Sequence, residues 1–247
     1  MHAAPRRTAV TALLCAAFAL GATACGPSSE DAKPAGPFGE LSGSQIVDKA
    51  FAATKGAKAL SVDIDEREAA EPIEAYLSLD AQGRCTGTLT TGTTSTVELI
   101  RPDHRNVYLR FDEASLREQV EGEDPETQEA MLKELRGRWV KGSASDPDNK
   151  DLLELCDLKQ LLGGFEQGAS GIVKGAETAV GGKKALALTE PGDGGESSTV
   201  YVATEGTPYV LRIVTKGGED PGTITFSKYG KPVGAKAPAA KDVVETD

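Results

Sequence analysis

Short stretches in which every second residue is apolar, separated by glycine-rich turns, dominate this sequence and restrict the class of fold open to it. Leu60, Val62 and Ile64 alternate with polar residues, as do Ile73, Ala75, Leu77 and Leu79. Cys85, Gly87 and Leu89 continue the pattern in a threonine-rich run, followed by residues 94–101 and 106–111, where Val107, Leu109 and Phe111 share a face. Gly83, Gly92 and Pro102-Asp103 mark the turns. A period of two is the signature of a strand with one buried face, and short links between such strands require antiparallel meander pairing. A second series, 172–180, 184–189, 199–204, 209–216 and 223–229, fills the C-terminal third.

Helical periodicity lies before and between the two series. Over 42–56, Ile46, Val47, Ala50, Phe51 and Thr54 fall on one face, Ser42 and Gln45 form a capping box, and Gly56 is a stop. Residues 113–121 form a short charged segment. Asp124-Pro125 is an N-cap with proline at the first helical position, and the helix it opens reaches about Arg136 with a narrow stripe of Met131, Leu132 and Leu135. A brief strand surrounds Trp139, and 151–162 reads as one further helix ended by Gly163-Gly164. The order is helix, meander, helical insert, meander, which is an α+β fold with one large antiparallel sheet. A sheet of about ten strands must curl or pack against something, and the helices are the elements available to cover its concave face.

The N-terminus reads as an export segment. Arg6 and Arg7 precede an apolar run over 10–20, too short to span a bilayer comfortably. Gly21-Ala22-Thr23-Ala24-Cys25 follows and resembles the lipobox of bacterial lipoproteins, with Ala22 where leucine is most usual. That resemblance implies that residues 1–24 are a signal peptide and that Cys25 is the lipid anchor, its thiol carrying a diacylglycerol with chains such as palmitate. The bland alternative is a secretory signal with a chance cysteine. Residues 25–43, rich in Pro, Ser, Gly and Ala, weigh against it, because they suit a flexible tether of at most about 60 Å. The expected layout is signal 1–24, tether 25–43, domain 44–230 and a loosely held tail 231–247, with the domain at the extracytoplasmic face of the cell membrane.

The remaining cysteines, Cys85 and Cys156, are most simply a disulfide in an exported chain. Two free buried thiols or a redox pair are the rival readings, and no Cys-x-x-Cys spacing supports the latter. The net charge of −11 lacks the basic stripe that nucleic acid requires. His104, the one histidine beyond the leader, sits in a Pro102-Asp103-His104-Arg105 turn and offers neither a zinc site nor a triad. Asp193-Gly194-Gly195-Glu196 lacks the ligand density of a calcium loop. No nucleotide-binding or nucleophile-elbow motif occurs. No enzyme activity, metal or cofactor is therefore expected.

Several strand segments carry a family resemblance: Gly137-Arg138-Trp139-Val140-Lys141, Tyr201-Val202-Ala203 with Gly206, Pro208 and Tyr209, Leu211-Arg212-Ile213, and the closing Phe226, Ser227, Tyr229 and Gly230. With them the mature chain resembles actinobacterial lipoproteins of the LppX/LprAFG type, which share the fold of the lipoprotein carriers LolA and LolB. The resemblance implies a half-barrel sheet wrapped around helices and an apolar cavity that takes a lipid or acylated molecule. Leu116, Val120, Met131, Leu132 and Leu135 are the candidate helix positions closing that cavity, and Trp139 a candidate wall; the same side chains would also serve as plain core. The alternative role is an envelope interaction or sensory protein that contacts a protein partner of unknown identity without lipid.

Overall fold

A computed structural model describes residues 38–67, 69, 72–163, 171–218 and 220–245. The segment 1–24, Cys25 and most of the 25–43 tether lie outside them. The first helix, α1 (Gly43–Lys55), begins with the expected box: Ser42 Oγ accepts from the Gln45 N–H, and Gln45 Oε1 accepts from the Ser42 N–H. The first meander is β1 (Ala59–Glu66), β2 (Ile73–Asp80), β3 (Cys85–Thr91), β4 (Ser95–Arg101) and β5 (Asn106–Phe111). The insert holds α2 (Glu113–Gln119), α3 (Pro125–Leu135), β6 (Trp139–Ser143), α4 (Lys150–Glu154) and α5 (Leu158–Gly163). The second meander is β7 (Val173–Val180), β8 (Lys183–Pro191), β9 (Ser197–Ala203), β10 (Val210–Lys216) and β11 (Gly222–Ser227), and β12 (Val243–Glu245) comes last.

These twelve strands form one open, curved sheet in the order β12-β6-β5-β4-β3-β2-β1-β11-β10-β9-β8-β7. The two meanders join where β1 pairs antiparallel with β11. The expected α+β fold is present, with one departure: the sheet is mixed, because β12 runs parallel to β6. The β2–β3 pair is tight at Gly87. A β-carbon there would lie 1.9 Å from the Tyr76 carbonyl oxygen of the neighbouring strand, so only glycine permits the close approach of β3 to β2.

Alternation sorts the strand residues onto two faces, and the inner one receives the helices. A cross-strand row runs over it from Phe111 through Val97, Leu89, Ala75, Ile64, Ile224, Ile213 and Val200 to Leu188. Beside it lie Leu60, Val62, Leu77, Leu79 and Leu99, each at most 1% exposed. Ile46, Val47, Ala50 and Phe51 of α1, with Leu153, Cys156 and Leu162 of the α4–α5 segment, complete the same cluster. α1 lies over β9 and β10 and also packs against α5.

Two expectations are corrected. Residues 151–162 are two short helices, because the Asp157 carboxylate accepts from the N–H groups of Lys159 and Gln160 and starts α5 afresh. The tail is not loose over its described part. Val244 and Ala235 are buried, Arg138 donates to the Val243 carbonyl at 2.9 Å, and Lys141 pairs with Glu245 at 2.7 Å. A three-residue parallel edge strand carries no periodicity of its own and is therefore invisible in the sequence.

Candidate functional site

The inner face is largely apolar, with Arg101 at the end of β4 an exception, and it is unevenly covered. Along the cross-strand row, Ile64, Ile224, Ile213, Val200 and Leu188 are buried. At the other end of the same row, Leu89 of β3, Val97 of β4 and Phe111 of β5 are only half-buried while still packed against the core. The reason is the position of α1, which reaches β9 and β10. Over the first meander the cover comes from α4 and α5, whose Leu152, Leu155, Leu158 and Leu161 are likewise half-buried and packed on the core. The outcome is a solid centre with an apolar rim open on the β3–β5 side.

The Cys85–Cys156 disulfide is present, its Cα atoms 5.6 Å apart, and it ties the α4–α5 junction to the start of β3. It holds the two helices against the open half of the sheet.

None of the six side chains expected to bound a cavity belongs to the cluster between the sheet and its inner helices. Leu116 and Val120 are buried, yet neither belongs to the cluster between sheet and helices. Leu116 borders a hollow with Thr96, Glu98, Arg110, Phe111 and Arg136. Among the described residues α3 has no buried side chain, and Met131 is 36% exposed, so Leu132 and Leu135 form a half-buried stripe on an outlying helix. An ion pair from Arg136 to Glu113 fastens α3 to α2. Trp139 faces away from α1, α4 and α5, since Val140 beside it pairs with inner-face Leu109; the Arg110 guanidinium lies 4.7 Å over its ring and also grips Glu98. The α2–α3 stripe was legible as amphipathic, but nothing in its spacing says which surface it meets. Leu89, Val97 and Phe111 were legible as strand residues on a shared face. Their exposure depends on where α1 docks, which local pattern does not encode.

The side chains of the rim, Leu89, Val97 and Phe111, are hydrocarbon, so it can take up apolar surface and cannot do covalent chemistry. Among the described residues no three His, Cys, Asp or Glu side chains gather to hold a metal ion, and no helix is long and apolar enough to cross a membrane.

The fold is thus one open, curved sheet of a dozen strands with helices on its inner face. Two solved structures share it with this chain. LprF from Mycobacterium bovis superposes with a TM-score of 0.55 at 14% identity, over 80% of this chain and 97% of that one. The lipoprotein LppX from Mycobacterium tuberculosis gives 0.50 at 15% identity, over 78% and 98%. No family model and no curated protein sequence matches the chain. What is shared at this identity is the fold.

Proposed function

We propose that this protein is an exported lipoprotein, held at the extracytoplasmic face of the cell membrane through Cys25, that binds a lipid or acylated molecule against the inner face of its sheet. The observation that carries the proposal is the half-open end of the apolar row, Leu89, Val97 and Phe111, which packs on the same core as the leucines of the α4–α5 segment. An acyl chain leaving water gains about 0.8 kcal/mol per methylene, so burial of about ten methylenes along this rim supplies about 8 kcal/mol toward binding without any reaction. The fold shared with LprF and LppX supports the reading, and the Gly21-Ala22-Thr23-Ala24-Cys25 segment supports the anchor.

The test is native mass spectrometry of the full chain extracted from bacterial membranes, with displacement of a fluorescent fatty acid in neutral detergent. A bound lipid is expected, and Val97→Glu, which places a charge in the rim, should weaken fatty-acid binding at least tenfold. A chain that carries no lipid and takes up no fatty acid, but holds a stable protein partner, would establish the interaction role instead.

A further inference from the structure

At the edge of the sheet where α1 ends, a hollow of about 310 Å³ lies beside the disulfide. Its charged lining is Lys55, Asp80, Arg101, His104, Asp157 and Lys159. In a chain of net charge −11 this is a local excess of basic groups. The two acids in it are already engaged. Asp80 accepts from Arg84 Nε at 2.7 Å and from the Gln82 and Arg84 N–H groups, while Asp157 caps α5.

Arg101 differs from both. It is the β4 residue paired with Cys85, on the inner face, and among the described residues its buried Nε has no hydrogen-bond partner. Buried guanidinium N–H groups are costly to leave unmet. Arg101 also borders a second hollow that contains Asp146, Glu154 and Asp157; there Asp146 accepts from the Asp148 N–H, Glu154 lies 3.7 Å from Lys150, and Asp157 is the cap already named. The turn that brings in His104 is fixed as well: Asp103 accepts from the Arg105 and Asn106 N–H groups. The imidazole rests so closely on Gly83 that a β-carbon there would lie 2.9 Å from its Cε1.

We propose that this hollow binds a phosphate group, free or as the head group of a lipid, with Arg101 as its principal ligand and Lys159 and His104 around it. The chemistry is that of a planar guanidinium whose forked donors match phosphate oxygens, set in a recess where its charge is less screened than on the open surface. The inference does not rest on the lipid-binding rim.

The experiment uses the full chain in neutral detergent, titrated at constant ionic strength with inorganic phosphate in one arm and with short-chain phosphatidylglycerol in the other. Saturable binding is expected in at least one arm. Arg101→Met should weaken it at least tenfold and Lys159→Met several-fold, with Lys184→Met, in the second meander, as the unchanged control. If Arg101→Met fails to fold, Lys159→Met, whose side chain is exposed, still reads the site. Binding of phosphate alone identifies a free anion; binding of the lipid alone identifies a head group; binding of both supports a site that accepts either. Absence of binding in both arms, or binding indifferent to Arg101 and Lys159, overturns the proposal. Loss of fatty-acid uptake with retained phosphate binding would strike only the lipid-binding reading, and the converse only this one.

Discussion

Val210 shows how single side chains repair a sheet. The register between β9 and β10 slips between Val210 and Arg212, so the ladder cannot satisfy both backbone groups of Val210. Its N–H donates instead to Thr54 Oγ1 of α1 at 2.9 Å, and its carbonyl accepts from the Tyr229 hydroxyl. Tyr229 stacks on Tyr209 at 4.0 Å, and burial holds its phenol above the ordinary range. Thr54→Val keeps the shape but strands a buried N–H, and should cost about 1–3 kcal/mol in urea unfolding; Thr54→Ser should recover most of it. Gly87→Ala is predicted to be worse than an ordinary strand substitution, because the obstacle is backbone. A loss of about 1–3 kcal/mol is expected from overpacking, read in the same assay. Thr54 was legible as one position on a helix face. Its hydroxyl's task was not, since the partner lies 156 residues away.

Among elements, the strands were the most legible because their alternation is written residue by residue; α1 was legible down to its capping box. The break between α4 and α5 was not, because Leu155, Cys156 and Leu158 continue an apolar stripe that a single helix would also use. The helices of the insert carry a pH dependence of their own. Burial would raise the Asp112 carboxyl, but hydrogen bonds from Ser115, Thr96 and Ala114 outweigh it and hold it below its ordinary value. Asp124 is also lowered, first by the Thr127 hydroxyl and then by backbone N–H groups. A carboxylate with a depressed folded value lends stability above its unfolded pKa, about 3.9, and loses it as pH falls through the folded value. Acid should therefore loosen α2 and α3 below about pH 4. Asp112→Ala should cost about 1 kcal/mol at neutral pH and flatten the acid limb of the urea midpoint plotted against pH. An unchanged acid limb in that variant would mean that the cap does not govern it.

At the scale of the molecule, each half of the sheet has a different means of holding its helices. The second meander is held by α1 through packing and the Thr54 contact. The first holds α4 and α5 through the bond between Cys85 and Cys156, 71 residues apart, and α5 in turn leans on α1. Closing a loop of that length removes denatured-state entropy worth about 4 kcal/mol in the chain-entropy model, and the bond persists outside the cytoplasm. On the proposed function α4 and α5 also border the bound acyl chain, so the same bond links stability to binding. Reduction should lower the denaturation midpoint and weaken fatty-acid uptake together, whereas Thr54→Val, acting on the covered half, should lower the midpoint and leave uptake nearly unchanged. The comparison requires both proteins at a temperature where each remains folded, with uptake measured by the fluorescent ligand. If reduction removes stability but not uptake, α4 and α5 do not shape the rim, and the acyl chain must lie along the strands alone.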